Sequence, residues 1–136
     1  ISDGLDMDFS NIHIENLFSI NSKNDCADFS YGNYEINKAI FKNCGDKGIS
    51  IGEDSNLKSN YLSINQSTIG ISSKDSSEFF SESVNIFDTK TCLSAYNKKQ
   101  EFNGGYMKIK KFKCENYIKD IKIDKVSKIL IDRILR

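Results

Sequence analysis

Asp25-Cys26-Ala27-Asp28-Phe29-Ser30 decides how this chain folds, because its pattern returns at a fixed step along the sequence. One step of 22 residues back stands Asp3-Gly4-Leu5-Asp6-Met7-Asp8. Steps of 22 forward reach Lys47-Gly48-Ile49-Ser50-Ile51-Gly52 and Ile69-Gly70-Ile71-Ser72-Ser73-Lys74. A step of 23 then reaches Cys92-Leu93-Ser94-Ala95-Tyr96-Asn97, and a degraded copy follows at Ile118-Lys119-Asp120-Ile121-Lys122-Ile123. Five good copies and one poor one mark a repeat protein.

Every copy has the same internal order. A short stretch of period 2 comes first, with Leu5 and Met7, Ala27 and Phe29, Ile49 and Ile51, Ile71 and Ser73, and Ser94 and Tyr96 sharing one face. A polar turn follows, as in Gly52-Glu53-Asp54-Ser55, and then a second apolar stretch. That stretch runs through Ile12, Ile14, Leu17 and Ile20 in the first copy and Leu57, Tyr61 and Ile64 in the third. It closes on Asn21, Asn43, Asn65, Asp88 and Asn116, side chains suited to tight corners.

A 22-residue period without a helical pattern suits a solenoid whose coils pair strand on strand. At about 4.8 Å per coil, six coils make a rod of roughly 29 Å. A leucine-rich repeat needs a Leu signature that is missing, and a β-sandwich needs hairpin turns at irregular spacing. The expectation is an all-β chain: a right-handed parallel β-helix of about six coils. The coils fall near 3–24, 25–46, 47–68, 69–91 and 92–117, with a terminal coil or cap over 118–136. Residues 1–136 read as a single domain, and the uncapped start at Ile1 as a fragment of a longer chain. From 126 onward the spacing permits a last strand or a short amphipathic helix, with the strand favoured.

The chain carries 19 basic and 19 acidic residues among its 136, and no Pro or Trp. One domain with a real core fits that length. A neutral total excludes a dedicated nucleic-acid binder, and no apolar run nears the roughly 20 residues of a membrane helix. The charge is nevertheless divided. Residues 1–89 hold 14 acids against 6 Lys, a balance of −8, and residues 90–136 hold 5 acids against 11 Lys and 2 Arg, a balance of +8. Such a rod meets an end-to-end or anionic partner, or simply presents a solvated surface.

The turns Asp46-Lys47-Gly48-Ile49-Ser50-Ile51-Gly52-Glu53-Asp54-Ser55, Gly70-Ile71-Ser72-Ser73-Lys74-Asp75-Ser76-Ser77 and Ala95-Tyr96-Asn97-Lys98-Lys99-Gln100-Glu101-Phe102 resemble successive coils of pectate-lyase-like parallel β-helix repeat proteins, within an uncharacterised bacterial subgroup. The similarity spans about residues 3–117. It implies a bacterial protein of the extracellular space or cell envelope, and a carbohydrate groove along the first sheet.

On that sheet the outward positions form a polar stripe, Asp6, Asp28, Ser50 and Ser72 beside Asp8, Ser30, Gly52 and Lys74. Turns add Glu53, Asp75, Lys98 and Lys99. The expected ligand-binding set is therefore Asp6, Asp8, Asp28, Glu53, Lys74, Asp75, Lys98 and Lys99, with Phe9 and Tyr31 as an aromatic platform. Carboxylates beside Lys74 suit acid–base work on a sugar, but no catalytic residue is assigned. His13, the only histidine, lies between Ile12 and Ile14 and faces away from the core, so a His-dependent triad has no support. Phosphate loops and metal-type His/Cys spacings are absent, and no cofactor or metal centre is expected. Arg occurs only at 133 and 136, so the Arg base of related polyuronate lyases is not matched.

Asp3 stacks on Asp25 and Asp6 on Asp28, each pair repelling by roughly 3 kcal/mol at an effective dielectric of 20. Lys47 continues and neutralises the first column, which leaves Asp6, Asp8 and Asp28 as the place for a cation or a ligand hydroxyl. Three carboxylates are few for calcium. Cys26, Cys44, Cys92 and Cys114 are expected as free thiols, because pairs in different coils lie too far apart, and Cys26–Cys44 and Cys92–Cys114 share coils but lie across the section or at its corners, where only a chance approach would join them. The function expected is a non-catalytic module of a bacterial envelope or secreted protein that binds polysaccharide or partner protein subunits. The alternative is a polysaccharide lyase, glycoside hydrolase or epimerase.

Overall fold

Strands β1 (Leu5–Asp8) to β9 (Lys128–Ile131) pair in parallel, each with the segment one coil further along, in a computed structural model that describes residues 3–136. The chain is a β-solenoid of about six turns and roughly 22 residues per turn, without a helix among the described residues. None of the described elements is therefore a helix long and apolar enough to cross a membrane.

Period-2 alternation turns one side of each strand inward, and parallel pairing stacks like positions into columns. Leu5, Ala27, Ile49, Ile71, Leu93 and Ile121 form one inner column. Ile12, Tyr34, Leu57, Phe79, Met107 and Ile129 form another, from β2 (Asn11–Ser22) through β4 (Asn33–Cys44), β6 (Asn56–Lys74), β7 (Glu78–Tyr96) and β8 (Tyr106–Ile123) to β9. Members from coils two to five are buried, each worth about 1.5–3 kcal/mol for a large side chain. In the first coil the same columns are only half-buried, because β1 and β2 pair on one side alone.

The fifth coil corrects the expected register. Ile71 pairs with Leu93 and Ser73 with Ala95, so Leu93 and Ala95 face inward rather than Ser94 and Tyr96. First segments keep the step of 22, and the extra residue sits instead in the turn before Asn56, where Tyr34 pairs with Leu57. The core position is consequently Leu62 rather than Tyr61, and the corner residue is Gln66 rather than Asn65. The exposed Ile20 likewise yields its expected inner place to Ser19, which pairs with the buried Phe41. Thr91 pairs with Lys119, so the last coils start at 91 and 119 instead of 92 and 118.

Corners follow from backbone chemistry. Asn21, Asn43, Gln66, Asp88 and Asn116 all adopt φ between 54° and 66°, the left-handed region that Asn and Asp tolerate best. Their side chains form ladders: Asn43 Nδ2 donates to Asn21 Oδ1 at 2.9 Å and Asn116 Nδ2 to Asp88 Oδ1 at 2.6 Å. Beyond 126 the strand alternative holds. β9 turns back through Asp132 and Arg133, both at positive φ, into antiparallel β10 (Ile134–Leu135). Positive φ at both loop positions is the type I′ form of a two-residue hairpin, and β10 covers the edge of β9.

The cysteines overturn the expectation of free thiols. Cys26 bonds Cys44 and Cys92 bonds Cys114, with Cα separations of 5.3 and 6.4 Å. Within one coil the start of the first segment meets the far end of the second beside a corner, where Cys44 lies one residue after the corner Asn43 and Cys114 two residues before the corner Asn116. In the third and fourth coils that corner holds Gly48 against Ile64 and Gly70 against Ile86, where an added Cβ would lie 2.7 Å from the isoleucine. Cys92 follows Gly48 and Gly70 in this column, and Cys114 follows Ile64 and Ile86. Cys92 and Cys114 therefore fill a space that takes glycine and isoleucine in the two preceding coils, whereas Cys44 pairs with Ser22 and stands outside the isoleucine column, whose member in that coil is Phe41.

Candidate functional site

The outward stripe of the first segments is only partly open. Asp6 pairs with Asp28 in β3 (Ala27–Ser30), Asp28 with Ser50 in β5 (Lys47–Ile51), Ser50 with Ser72, and Ser72 with Ser94. Ser50, Ser72 and Ser94 are buried, so the middle of the stripe is closed to a ligand. The Lys74 stem runs back along it, with Cε 3.4 Å from where a Gly52 Cβ would stand.

At the acidic end, Asp3, Asp25 and Asp28 bring carboxylate oxygens within 4.8 Å of one another. The expected trio Asp6, Asp8 and Asp28 is not the set brought together. Asp3 Oδ1 accepts the Asn24 side-chain amide at 2.9 Å and the Asp25 backbone N–H at 3.0 Å. Asp25 Oδ1 accepts the Lys47 backbone N–H at 3.0 Å and lies 4.0 Å from its ammonium. Strand amides thus hold the first column, while Asp8 accepts a hydrogen bond from the Ser30 hydroxyl.

Asp28 is the perturbed group. Burial, then the neighbouring Asp25, Asp3 and Asp6, push its carboxyl up to about 6, against which Lys74 acts weakly. Burial and then Asp8 and Asp3 raise the exposed Asp6 as well. A carboxyl raised on folding stabilises the native state at low pH, and loses that contribution as pH rises from about 4 through about 6. Asp28→Asn is accordingly expected to stabilise the protein at pH 7 by on the order of 1–2 kcal/mol after solvent screening, and to have little effect at pH 4. Thermal unfolding at both pH values checks this, and equal effects would remove Asp28 from the account.

The turn beside the stripe carries the clearest construction. Phe9, Tyr31, Asp54 and Ser76 occupy equivalent turn positions and all have positive φ, between 47° and 63°. Asp and Ser adapt to that region, whereas bulky aromatics there are strained. Phe9 and Tyr31 nevertheless stack with centroids 4.6 Å apart and planes 4° from parallel, and Phe9 is 76% exposed.

Residues 97–105 form an insertion that folds over this turn column. Its anchor is the buried Asp75, whose Oδ1 accepts the backbone N–H groups of Lys98 at 2.7 Å and Lys99 at 2.9 Å and the Asn97 side-chain amide at 3.3 Å. Asn97 also donates to the carbonyls of Lys99, Phe102 and Asn103. The insertion sets Phe102 edge-on to Tyr31 at 6.4 Å and Lys99 Nζ 2.8 Å from Glu53. Burial opposes ionisation of Glu53, but the Lys99 ammonium holds its carboxyl below the usual range.

Of the expected ligand-binding residues, Glu53 and Lys99 thus meet, while Asp75 and the Lys98 backbone build the loop beneath them. The Lys98 side chain is exposed. Sequence reasoning missed Phe102, whose role depends on how the insertion folds, and the outer face of the second segments. There a groove of about 640 Å³ runs past His13, Glu35, Lys58, Phe80 and Lys108. His13 bonds Glu15 at 3.1 Å and lies 3.4 Å from Glu35, and these two carboxylates raise its imidazole. Compared with family models, curated proteins and solved structures, the chain gives no significant match to any of them.

Proposed function

We propose that this chain is a non-catalytic β-solenoid module that binds polysaccharide on the turn face built from Phe9, Tyr31 and Phe102, beside the Glu53–Lys99 pair. The observation that carries the reading is the pair of aromatic residues kept in left-handed conformation where the next coils use Asp54 and Ser76. Strain of about 1–3 kcal/mol per residue is a cost without a folding return, and exposed stacked rings offer a flat apolar surface to a sugar ring. Glu53 and Lys99 add donors and acceptors for hydroxyls at its edge. Two disulfides support residence in an oxidising setting, outside the cell or in its envelope.

Phe9→Asn separates binding from folding. Stability is expected to rise by about 1 kcal/mol as strain is relieved, while retention on immobilised acidic and neutral polysaccharides falls about tenfold. Retention unchanged by Phe9→Asn and by Tyr31→Ala would end the reading. Polysaccharide cleavage is a second reading, favoured by the Asp28 carboxyl near 6, a value suited to a general acid close to neutral pH. Product formation from an acidic polysaccharide, lost in Asp28→Asn, would put it first.

A further inference from the structure

The groove on the outer face of the second segments lies apart from the aromatic platform and is built from two columns. One is His13, Glu35, Lys58, Phe80 and Lys108, each paired with the next by the strand register. The other passes through Asn37, Asn60, Glu82 and Lys110. Asn60 Nδ2 donates to Asn37 Oδ1 at 2.6 Å, and Lys110 lies 3.7 Å from Glu82. The hairpin turn Asp132–Arg133 lines one end. On the groove lining sits Ser59, whose buried hydroxyl has no hydrogen-bond partner among the described residues.

Charge separates along this groove. Near its start Glu35 lies beside His13, which it shares with Glu15, and further along Glu82 is paired with Lys110. Lys58, Lys108 and Arg133 form no ion pair among the described residues, and Asp132 is the one unpaired acid on the lining. Lys58 and Lys108 flank Phe80 one coil away on either side, about 5 Å per step. Phe80 meets Tyr106 edge-on at 5.8 Å, which gives a ridged apolar spot rather than a flat platform.

We propose that this groove binds an extended acidic peptide segment of a partner protein, with an apolar side chain seated at Phe80 and carboxylates at Lys58, Lys108 and Arg133. Two cations on either side of an apolar spot complement an acidic–apolar–acidic segment. An extended chain advances about 3.3 Å per residue, so acids two or three residues apart reach lysines two coils apart. The amides of Asn37 and Asn60 offer both donors and acceptors to a peptide backbone, which needs both. This site does not depend on the aromatic platform.

The probe is a fluorescein-labelled heptapeptide of alternating Asp and Phe, followed by fluorescence anisotropy. Saturable binding that weakens with salt is expected, falling at least tenfold in the Lys58→Glu/Lys108→Glu double variant. Lys111→Glu, an exposed change not on the groove lining, serves as the control and leaves binding within twofold. Phe9→Asn likewise leaves it unchanged, which separates this site from the platform. Unchanged melting curves show that the groove variant is folded, since both lysines are exposed. No binding to the wild type, equal binding by the groove variant, or competition by an acidic oligosaccharide as effective as the unlabelled peptide would each overturn the proposal.

Discussion

Removing both disulfides is expected to lower the stability of the solenoid by about 6 kcal/mol. Cys26–Cys44 and Cys92–Cys114 close segments of 18 and 22 residues, and a crosslink of that span constrains the unfolded chain by about 3 kcal/mol. Against a total of roughly 5–15 kcal/mol for a typical domain, the loss is large. Each bond also ties the first segment to the end of the second segment of one coil, so the gain is local to coils two and five. Urea unfolding of the oxidised protein, of the reduced protein and of the Cys92→Ala/Cys114→Ala variant measures both contributions. A reduced protein with the same midpoint as the oxidised one would show that the thiols are not paired in solution.

Asp75→Ala is expected to cost about 3 kcal/mol and to release residues 97–105. The Asp75 carboxylate is fully buried, and one oxygen gathers the N–H groups of Lys98 and Lys99 with the Asn97 amide. Hydrogen bonds to a charged acceptor are worth about 1.5–3 kcal/mol each, and losing the acceptor strands the two backbone N–H groups, while the Asn97 amide keeps carbonyl partners. Asp75→Asn keeps an accepting oxygen in place, so a milder loss of about 1 kcal/mol is expected. The freed loop exposes the peptide bonds after Lys98 and Lys99, and limited trypsin digestion should cut Asp75→Ala there first. Release also withdraws Phe102 from Tyr31 and Lys99 from Glu53, so polysaccharide retention should fall with it. If the variant resists trypsin, the remaining ties, Asn97 N–H to Asp124 at 2.8 Å and Asn103 N–H to the Ser76 hydroxyl at 2.8 Å, hold the loop without Asp75.

The dipolar charge has a structural location. The acidic half begins in the first coil, where Asp3, Asp6, Asp8 and Glu15 meet no Lys or Arg before Lys23. The basic half ends in β8 and the terminal hairpin, and it supplies Lys108, Lys110 and Arg133 to the lining of the second-segment groove. A charge division visible as a tally of residues therefore becomes an oriented groove once the coils are stacked.

The fold was legible because a strand's neighbours across the ladder sit one coil away in sequence. A step of 22 residues, period-2 alternation and a recurrent corner residue together specify parallel coils with one inward face. Asn21, Asn43, Asp88 and Asn116 could be read as corners because only a few side chains tolerate the backbone they require. Phe9 over Tyr31, Asp6 over Asp28 and the Asp3–Asp25–Lys47 column followed from the same step.

Where the register slipped, the repeat itself was ambiguous. One extra residue fits the period equally well before Asn56 or before Cys92, yet a shift by one sends every side chain to the opposite face. Burial of Leu62, Leu93 and Ala95 chooses the first placement. The sequence by itself thus determined the coil, four of its five corners and the inner columns outside the slipped positions, all of which depend on spacing along the chain. Tertiary structure alone decided the disulfides, the fold of residues 97–105 and the second-segment groove. Cysteines 18 and 22 apart meet because two segments converge at an inner corner, and Lys99 reaches Glu53 across 46 residues because the insertion folds back along the coil axis. Periodicity orders neighbours along a column, but the shape of the coil's cross-section and the path of a loop are set by packing in three dimensions.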